Sequence, residues 1–416
     1  MRARSGSWGA CIVASAVLLA ACSGPDSSTL EAPSASSEPV PDVWGSESPT
    51  PAATSAGNAA PAASEAPDPS DCIDQLPLDV RIGQTMLVTT TDIPRVQRWL
   101  DDGLIAGLLS NGVLTPALAG ALERATYGTQ YGALLAADEE GGTVQRYREV
   151  VGWIPSAREQ AATLTPQEVR SLYARHGAAL SDWGVDMVMA PVVDVGYGPG
   201  IGSRAYSQDP AVVTRYAAAA VKGYMDAGLI PVLKHFPGHG GAGADTHDSV
   251  AIGPPLDRLR AVDLLPFTGV PAQADVGIMV GHTTIPGYSE TPASQSKEVI
   301  TGLLVDDLGF EGLIVSDALG MAAAGAPDQG AALVGFLTAG GDLGIVGPGG
   351  SVEGRRAVRA ALKDGTLPEE RLNDAAAAVL EIKGVNTCEV AGAPAPAVDD
   401  RDVPKDSAVT NPAEES

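Results

Sequence analysis

The sequence predicts one (β/α)8 barrel of the TIM type with disordered N- and C-terminal tails. Three observations carry that reading. Eight apolar runs of strand length recur through the middle of the chain, at 85–89, 106–110, 134–138, 187–192, 231–235, 277–281, 313–317 and 342–347. Each is nearly continuously apolar, as parallel strands covered on both faces are. Helical patterns separate them, and strands alternating with helices make an α/β domain. A doubly wound sheet is the alternative, but no Gly-x-Gly-x-x-Gly follows the first run.

The ends of the chain read differently from its middle. Arg2 and Arg4 precede a short apolar stretch from Ala10 to Ala21, and Leu19-Ala20-Ala21-Cys22 forms a lipobox. Residues 1–21 are expected to be a lipoprotein signal peptide, with Cys22 the lipidated first residue of the mature chain. The apolar stretch is too short for a normal membrane span. Residues 22–70 are rich in Ser, Pro, Ala and Glu, and from Ser23 to Ser70 there is no Lys or Arg. Such a segment cannot bury enough apolar surface to order itself and is expected to be a tether. Residues 389–416 have the same character and are expected to be a disordered tail. The folded part is then 71–388, one domain in length.

The net charge is −25, from 26 Lys+Arg against 51 Asp+Glu. That balance excludes a nucleic-acid surface and leaves the lipid at Cys22 as the only hold on a membrane. The expected location is the outer face of a bacterial cell membrane, and a monomer is expected. Cys11 leaves with the signal and Cys22 carries the lipid, so Cys72 and Cys388 remain at the two ends of the folded part. In an exported chain this suggests a disulfide closing a very long loop.

Among the helical stretches the clearest begins at Thr165-Pro166-Gln167-Glu168, a capping box with Pro at the first helical position. Val169, Leu172, Tyr173, His176, Leu180 and Trp183 keep a helical period until Gly184, so His176 reads as a core histidine. The last helix is expected over 368–383, opened by Thr366 and Glu369 in the same box pattern.

In a barrel, catalytic groups sit at the C-terminal ends of strands. Those ends here carry Asp138-Glu139-Glu140, Asp194, Lys234-His235, His282 and Asp317. The richest stretch runs from Leu233 through Lys-His-Phe-Pro-Gly-His-Gly-Gly-Ala-Gly-Ala-Asp-Thr to His247 and holds three of the five histidines. Three readings of it stay open on composition alone. It is a surface loop, or a metal site, or an acid/base site. Pro237 and Gly238 remove the helix that would put His235 and His239 on one face, which disfavours metal. An Asp two residues before a His can fix that imidazole's tautomer and raise its basicity, which fits Asp245 and His247 to acid/base work. The remaining stretches each have a bland reading: an acidic turn at 138–146, a loop with one Arg at 201–206, a helix start at 291–294, and an N-cap role for Asp317.

Together these stretches resemble glycoside hydrolase family 3. Lys-His-Phe-Pro-Gly-His-Gly at 234–240, with Asp-Thr-His at 245–247, is similar to the family's pattern in single-domain bacterial β-N-acetylglucosaminidases. Asp-x-Glu-Gly-Gly-x-Val-Gln-Arg at 138–146, Ala-Pro-Val-x-Asp at 190–194, Ile-Gly-x-Arg at 201–204 and Gly-Leu-Ile-Val-Ser-Asp at 312–317 follow in the family's order. The resemblance covers nearly all of 75–385. It implies a TIM barrel and a retaining hydrolase with no cofactor and no metal. It places Asp317 on the nucleophile, His247 on the general acid/base and Asp245 on its partner. Asp138, Arg146, Arg204, Lys234 and His235 fall on positions that grip the non-reducing N-acetylglucosamine. Ala318 stands where the family usually has a second Asp, and Thr143 where it often has Arg; neither departure removes a catalytic group. The implied substrate is an N-acetylglucosamine-containing oligosaccharide or muropeptide. Phosphorolysis of the same bond is the runner-up, and a catalytically silent sugar-binding lipoprotein is the alternative from a different class.

Overall fold

The computed structural model describes residues 72–243, 251–270, 276–324 and 328–396. Cys22, the 22–70 tether, Asp245, His247 and the last twenty residues of the tail lie outside the described residues.

Eight strands form the parallel sheet: β1 Met86–Thr89, β2 Gly107–Leu109, β3 Leu134–Ala137, β4 Met187–Val188, β5 Ile230–Phe236, β6 Gly277–Val280, β7 Ile314–Ser316 and β8 Gly344–Val346. Every neighbouring pair is parallel, and β8 returns to pair with β1. The seam between β7 and β8 is joined by a parallel bridge from Val315 to Leu343 and by the Ser316 amide on the Leu343 carbonyl at 3.0 Å. Each strand falls within one of the eight apolar runs, give or take one residue.

The apolar residues divide by strand parity into two clusters, as the period of two demands. Leu87, Leu134, Ala136, Met187, Val232, Met279, Val315 and Ile345 fill the barrel interior, joined by Val379 of the last helix. Met86, Val88, Leu135, Ala137, Val188, Leu233, Ile278, Ile314 and Val346 face outward into the helix layer. The same parity carries the chain on to its charged residues. Asp138 continues 134 and 136, Lys234 continues 232, and Asp317 continues 315, so all three side chains follow the inward series at the C-terminal mouth.

The helix Pro166–Ser181 forms with its capping box complete: Thr165 accepts from the Glu168 amide while the Glu168 carboxylate accepts from the Thr165 amide at 2.7 Å. The last helix departs from expectation. It spans Glu369–Ile382 behind Pro368, and the Thr366/Glu369 box does not form. The Thr366 amide instead donates to Asp364, and the Glu369 carboxylate binds Arg81 at 2.8 Å, so both halves of the box are drawn elsewhere. The C-terminal boundary also moves. A short helix Thr387–Val390 runs past 388, and Val390 and Ala393 pack against the cluster of Leu76, Val80, Tyr131 and Leu380. That apolar contact orders the chain where a tail was expected. A disulfide joins Cys72 to Cys388, with Cα atoms 4.9 Å apart, and ties the first described residue to this last turn. No helix of the described residues is long and apolar enough to cross a membrane.

Candidate active site

After β3 the chain makes a short antiparallel ribbon, Glu139–Gly141 against Val144–Gln145, in place of the simple acidic turn. The ribbon folds Arg146 back toward Asp138, with Nη2 3.6 Å from Oδ2. Arg146 Nε is buried and has no protein acceptor, a donor left for something else. Lys234 rises from β5 to meet the same place, its Nζ 2.8 Å from Asp138 Oδ1 and 2.6 Å from Glu140 Oε1. Glu140 also accepts a two-pronged bond from Arg204, at 2.7 and 2.8 Å. Arg204 in turn holds the Gly200 carbonyl at 2.7 Å.

These charges are buried and matched, which is the condition under which burial is tolerated. Burial alone would raise the Asp138 carboxyl, but the Lys234 ammonium and Arg146 guanidinium hold it below the ordinary carboxylate range. Glu140 is held lower still; burial works against it, and Arg204 and Lys234 prevail. Burial likewise disfavours the Lys234 ammonium, yet Asp138 and Glu140 raise its pKa above the ordinary lysine value. All three groups are charged at neutral pH.

Next to them, His235 is fixed by Asp194, with Nδ1 2.6 Å from Oδ2. The other Asp194 oxygen accepts the His239 amide at 2.6 Å. Asp194 is fully buried; burial would raise its pKa, but His235 and its hydrogen bonds hold it below the usual range. One carboxylate therefore orients His235 and anchors the turn that leads out of β5. His235 Nε2 stands 3.4 Å from Arg204 Nη2, so the histidine belongs to the same cluster.

Asp317 ends β7. Its amide donates to the Val280 carbonyl at 2.9 Å, and its Oδ1 accepts the Ala318 amide at 2.8 Å. The next α-helix among the described residues, Gln329–Thr338, is capped by Asp328 and not by Asp317. His282, at the end of β6, donates from Nε2 to the Ala318 carbonyl at 3.0 Å and is held through Nδ1 by Ser294 at 2.7 Å. The stretch 291–294 thus supplies the serine that orients His282, which in turn positions the backbone beside Asp317. His176 is buried on its helix and bonds the Glu139 carboxylate at 2.9 Å, so this core histidine braces the ribbon.

Of the residues singled out from sequence, Asp138, Arg146, Arg204, Lys234 and His235 are brought into one network, and Asp317 lies at the mouth on the end of another strand. Glu140 and Asp194 were not expected as site residues, yet Glu140 bonds Arg204 and Lys234, and Asp194 bonds His235. Both stood in quoted motifs at strand ends, which was the signal available. Among the described residues no group of three or more His, Cys, Asp or Glu is arranged to hold a metal ion.

Paired buried charges and a strand-end carboxylate thus gather at the C-terminal mouth of the barrel. The model of the glycosyl hydrolase family 3 N-terminal domain matches residues 77–382. The β-hexosaminidase LpqI of Mycobacterium tuberculosis is 40% identical over 255 residues, which cover 58% of this chain and 66% of that protein. A β-hexosaminidase of Stenotrophomonas maltophilia is 43% identical over 199 residues, covering 46% of this chain and 59% of its own length. Among solved structures, M. tuberculosis LpqI superposes with a TM-score of 0.72 at 36% identity, over 77% of this chain and 97% of the other. A family 3 β-N-acetylglucosaminidase from Paenibacillus gives 0.69 at 27% identity, over 78% and 65%. The chain belongs to glycosyl hydrolase family 3 and is a glycoside hydrolase.

Proposed function

We propose that the protein is a retaining exo-β-N-acetylglucosaminidase that removes terminal N-acetylglucosamine from cell-wall fragments, including muropeptides. The observation that carries this reading is the matched, buried cluster of Asp138, Glu140, Lys234, Arg204 and His235 at the same end of the barrel as a strand-end carboxylate, Asp317. The likeness to proteins named β-hexosaminidase and β-N-acetylglucosaminidase supports it.

In this mechanism the cluster grips the hydroxyls of the non-reducing sugar and fixes its position. Asp317 attacks the anomeric carbon, forming the glycosyl–oxygen bond as the bond to the leaving oxygen breaks. His247 gives that oxygen its proton, then takes one from water, which attacks the same carbon and releases Asp317. Asp245 orients the imidazole. An imidazole with an ordinary pKa of about 6.5 can give and take a proton near neutrality. Anchoring through Cys22 on the outer face of the membrane would put a monomeric enzyme beside its substrate.

Release of 4-nitrophenol from its β-N-acetylglucosaminide tests the activity, and repeating it with phosphate tests for sugar 1-phosphate. Hydrolysis without sugar phosphate is expected. A 5-fluoro glycosyl fluoride should label Asp317; labelling elsewhere sinks the assignment. His247→Ala should lose about 10²–10⁴-fold more on a natural disaccharide than on a 2,4-dinitrophenyl substrate, whose leaving group hardly needs the proton. Equal losses on both would mean that His247 only shapes its loop.

A further inference from the structure

Arg146, Arg204 and Lys234 each meet a carboxylate, whereas a cation nearer solvent meets none among the described residues. Arg158 is exposed, on the helix Ala157–Thr163, and none of the described carboxylates lies within ion-pair distance of it. Its sequence neighbour Glu159 is turned away, with its carboxylate on the Ser156 amide at 2.9 Å and the Ser156 hydroxyl at 2.7 Å.

Arg158 is also held in place. Its guanidinium carbon lies 3.7 Å from the centre of the Tyr197 ring, and Nη2 donates to the Gly202 carbonyl at 3.0 Å. A stacked guanidinium keeps its edge N–H groups free to bind a planar anion. Tyr197 is itself fixed. A Cβ on either neighbour, Gly196 or Gly198, would stand 2.8 Å from the Gly240 carbonyl oxygen, so its loop is pressed against the turn that leaves β5. The 200–202 turn that Arg158 grips is the one Arg204 grips from within the pocket, through the Gly200 carbonyl. The two arginines thus share a turn but differ in depth: Arg204 has 16% of its side chain accessible and bonds Glu140, while Arg158 faces solvent. In an exo-acting site the leaving group is the solvent-side part of the substrate, and Arg158 holds the solvent side of the turn that Arg204 grips from within.

We infer that Arg158, stacked on Tyr197, forms a leaving-group subsite that selects substrates whose leaving sugar or its appended peptide bears a carboxylate. This rests on the proposed function and adds the recognition of charge beyond the scissile bond.

The test compares two substrates that differ only in that charge. N-acetylglucosamine β-linked to N-acetylmuramic acid is one; the methyl ester of its lactyl carboxylate is the other. The wild type should prefer the acid in kcat/KM by about tenfold, the size expected of one hydrogen bond to a charged group. The preference should shrink in high salt, because the subsite is exposed. Arg158→Met should abolish it, and Arg158→Lys should keep part of it. The acid-to-ester ratio is the readout, since loosening the 200–202 turn would lower both substrates together and leave the ratio unchanged. A wild type with no preference, or an Arg158→Met variant that keeps it, overturns the inference. If the wild type also fails to release 4-nitrophenol from the simple N-acetylglucosaminide, the proposed function falls, and the subsite with it.

Discussion

Two lysines, one at each end of the barrel, show what the fold does with charge: Lys234 is buried and Lys383 half-buried. At the C-terminal mouth Lys234 meets two carboxylates, and its pKa is raised despite burial. At the N-terminal end Lys383 meets only neutral acceptors, the Gln84 side chain and the Gly132 carbonyl at 2.9 Å. Burial there pushes its pKa down to about 7, with Asp186 opposing weakly. Burial is common to both; the partners decide the sign. Some carboxylates follow the same division, though Asp263, packed against Gly238 of the turn that leaves β5, is pushed up to about 6 by burial. Asp138 and Glu140 in the site lie below their ordinary range, whereas Asp342, just ahead of β8, is pushed up to about 6 by burial, with Arg371 only partly offsetting it. A perturbed lysine is therefore no marker of chemistry by itself. Lys383 ties the last helix to the chain ahead of β1 and β3, at the end of a barrel that serves stability.

The strongest challenge to this contrast is Lys234→Met. It removes the ammonium and leaves Asp138 and Glu140 buried with fewer partners. Breaking a buried pair from one side costs about 3–5 kcal/mol, so urea denaturation should show a loss of that size, with activity lost as well. Near-wild-type stability would mean that Arg146 and Arg204 alone satisfy the carboxylates.

The next test belongs to the other end. Replacing Cys72 and Cys388 together by Ser opens a loop of sequence separation 316 and should cost about 2–5 kcal/mol. Well below the melting temperature, kcat/KM should be unchanged, because the bond lies with the N-terminal ends of the strands. A fall in kcat/KM on the simple nitrophenyl substrate would show that the two ends are coupled.

What the sequence disclosed follows the same physics. The eight strands were legible because burial on both faces demands continuous apolar runs. The ribbon at 139–145 was not, since Glu-Glu-Gly-Gly-Thr offers no apolar alternation; it is held by bonds to residues remote in sequence, such as His176, Tyr173 and Tyr224. The gripping cations were legible as charges where a strand should end. Their partners Glu140 and Asp194 were less so, because a carboxylate's role depends on which side chain it meets. Glu139 and Glu140 are adjacent and equally acidic, yet one braces His176 and the other binds Arg204 and Lys234. The box at Thr366 was misread for a like reason: local pattern cannot foresee that Arg81, remote in sequence, takes Glu369.

The smallest expected effect isolates Lys383 by pH. In the unfolded chain a lysine titrates near about 10.4, and in the folded protein Lys383 does so at about 7. Between those values the unfolded state binds the extra proton, so stability should rise as pH rises through the window. Lys234 acts in the opposite sense and higher up. Its folded pKa lies above the unfolded one, so its contribution is complete below about 10.4 and is lost only above that. Tyr173 is pushed up to about 12, chiefly by burial, and so begins to erode stability only once unfolded tyrosine ionises near about 10. Urea midpoints taken between about pH 7 and 9 therefore report mainly on Lys383. Lys383→Met keeps much of the apolar stem and removes the titration. At pH 7 it should not destabilise, because the bonds lost to Gln84 and Gly132, about 1 kcal/mol, are offset by removal of a charge that the fold disfavours. The rise with pH seen in the wild type should be flattened in the variant. Parallel slopes in the two proteins would mean that Lys383 is charged in the fold, and the contrast between the two ends of the barrel would not hold.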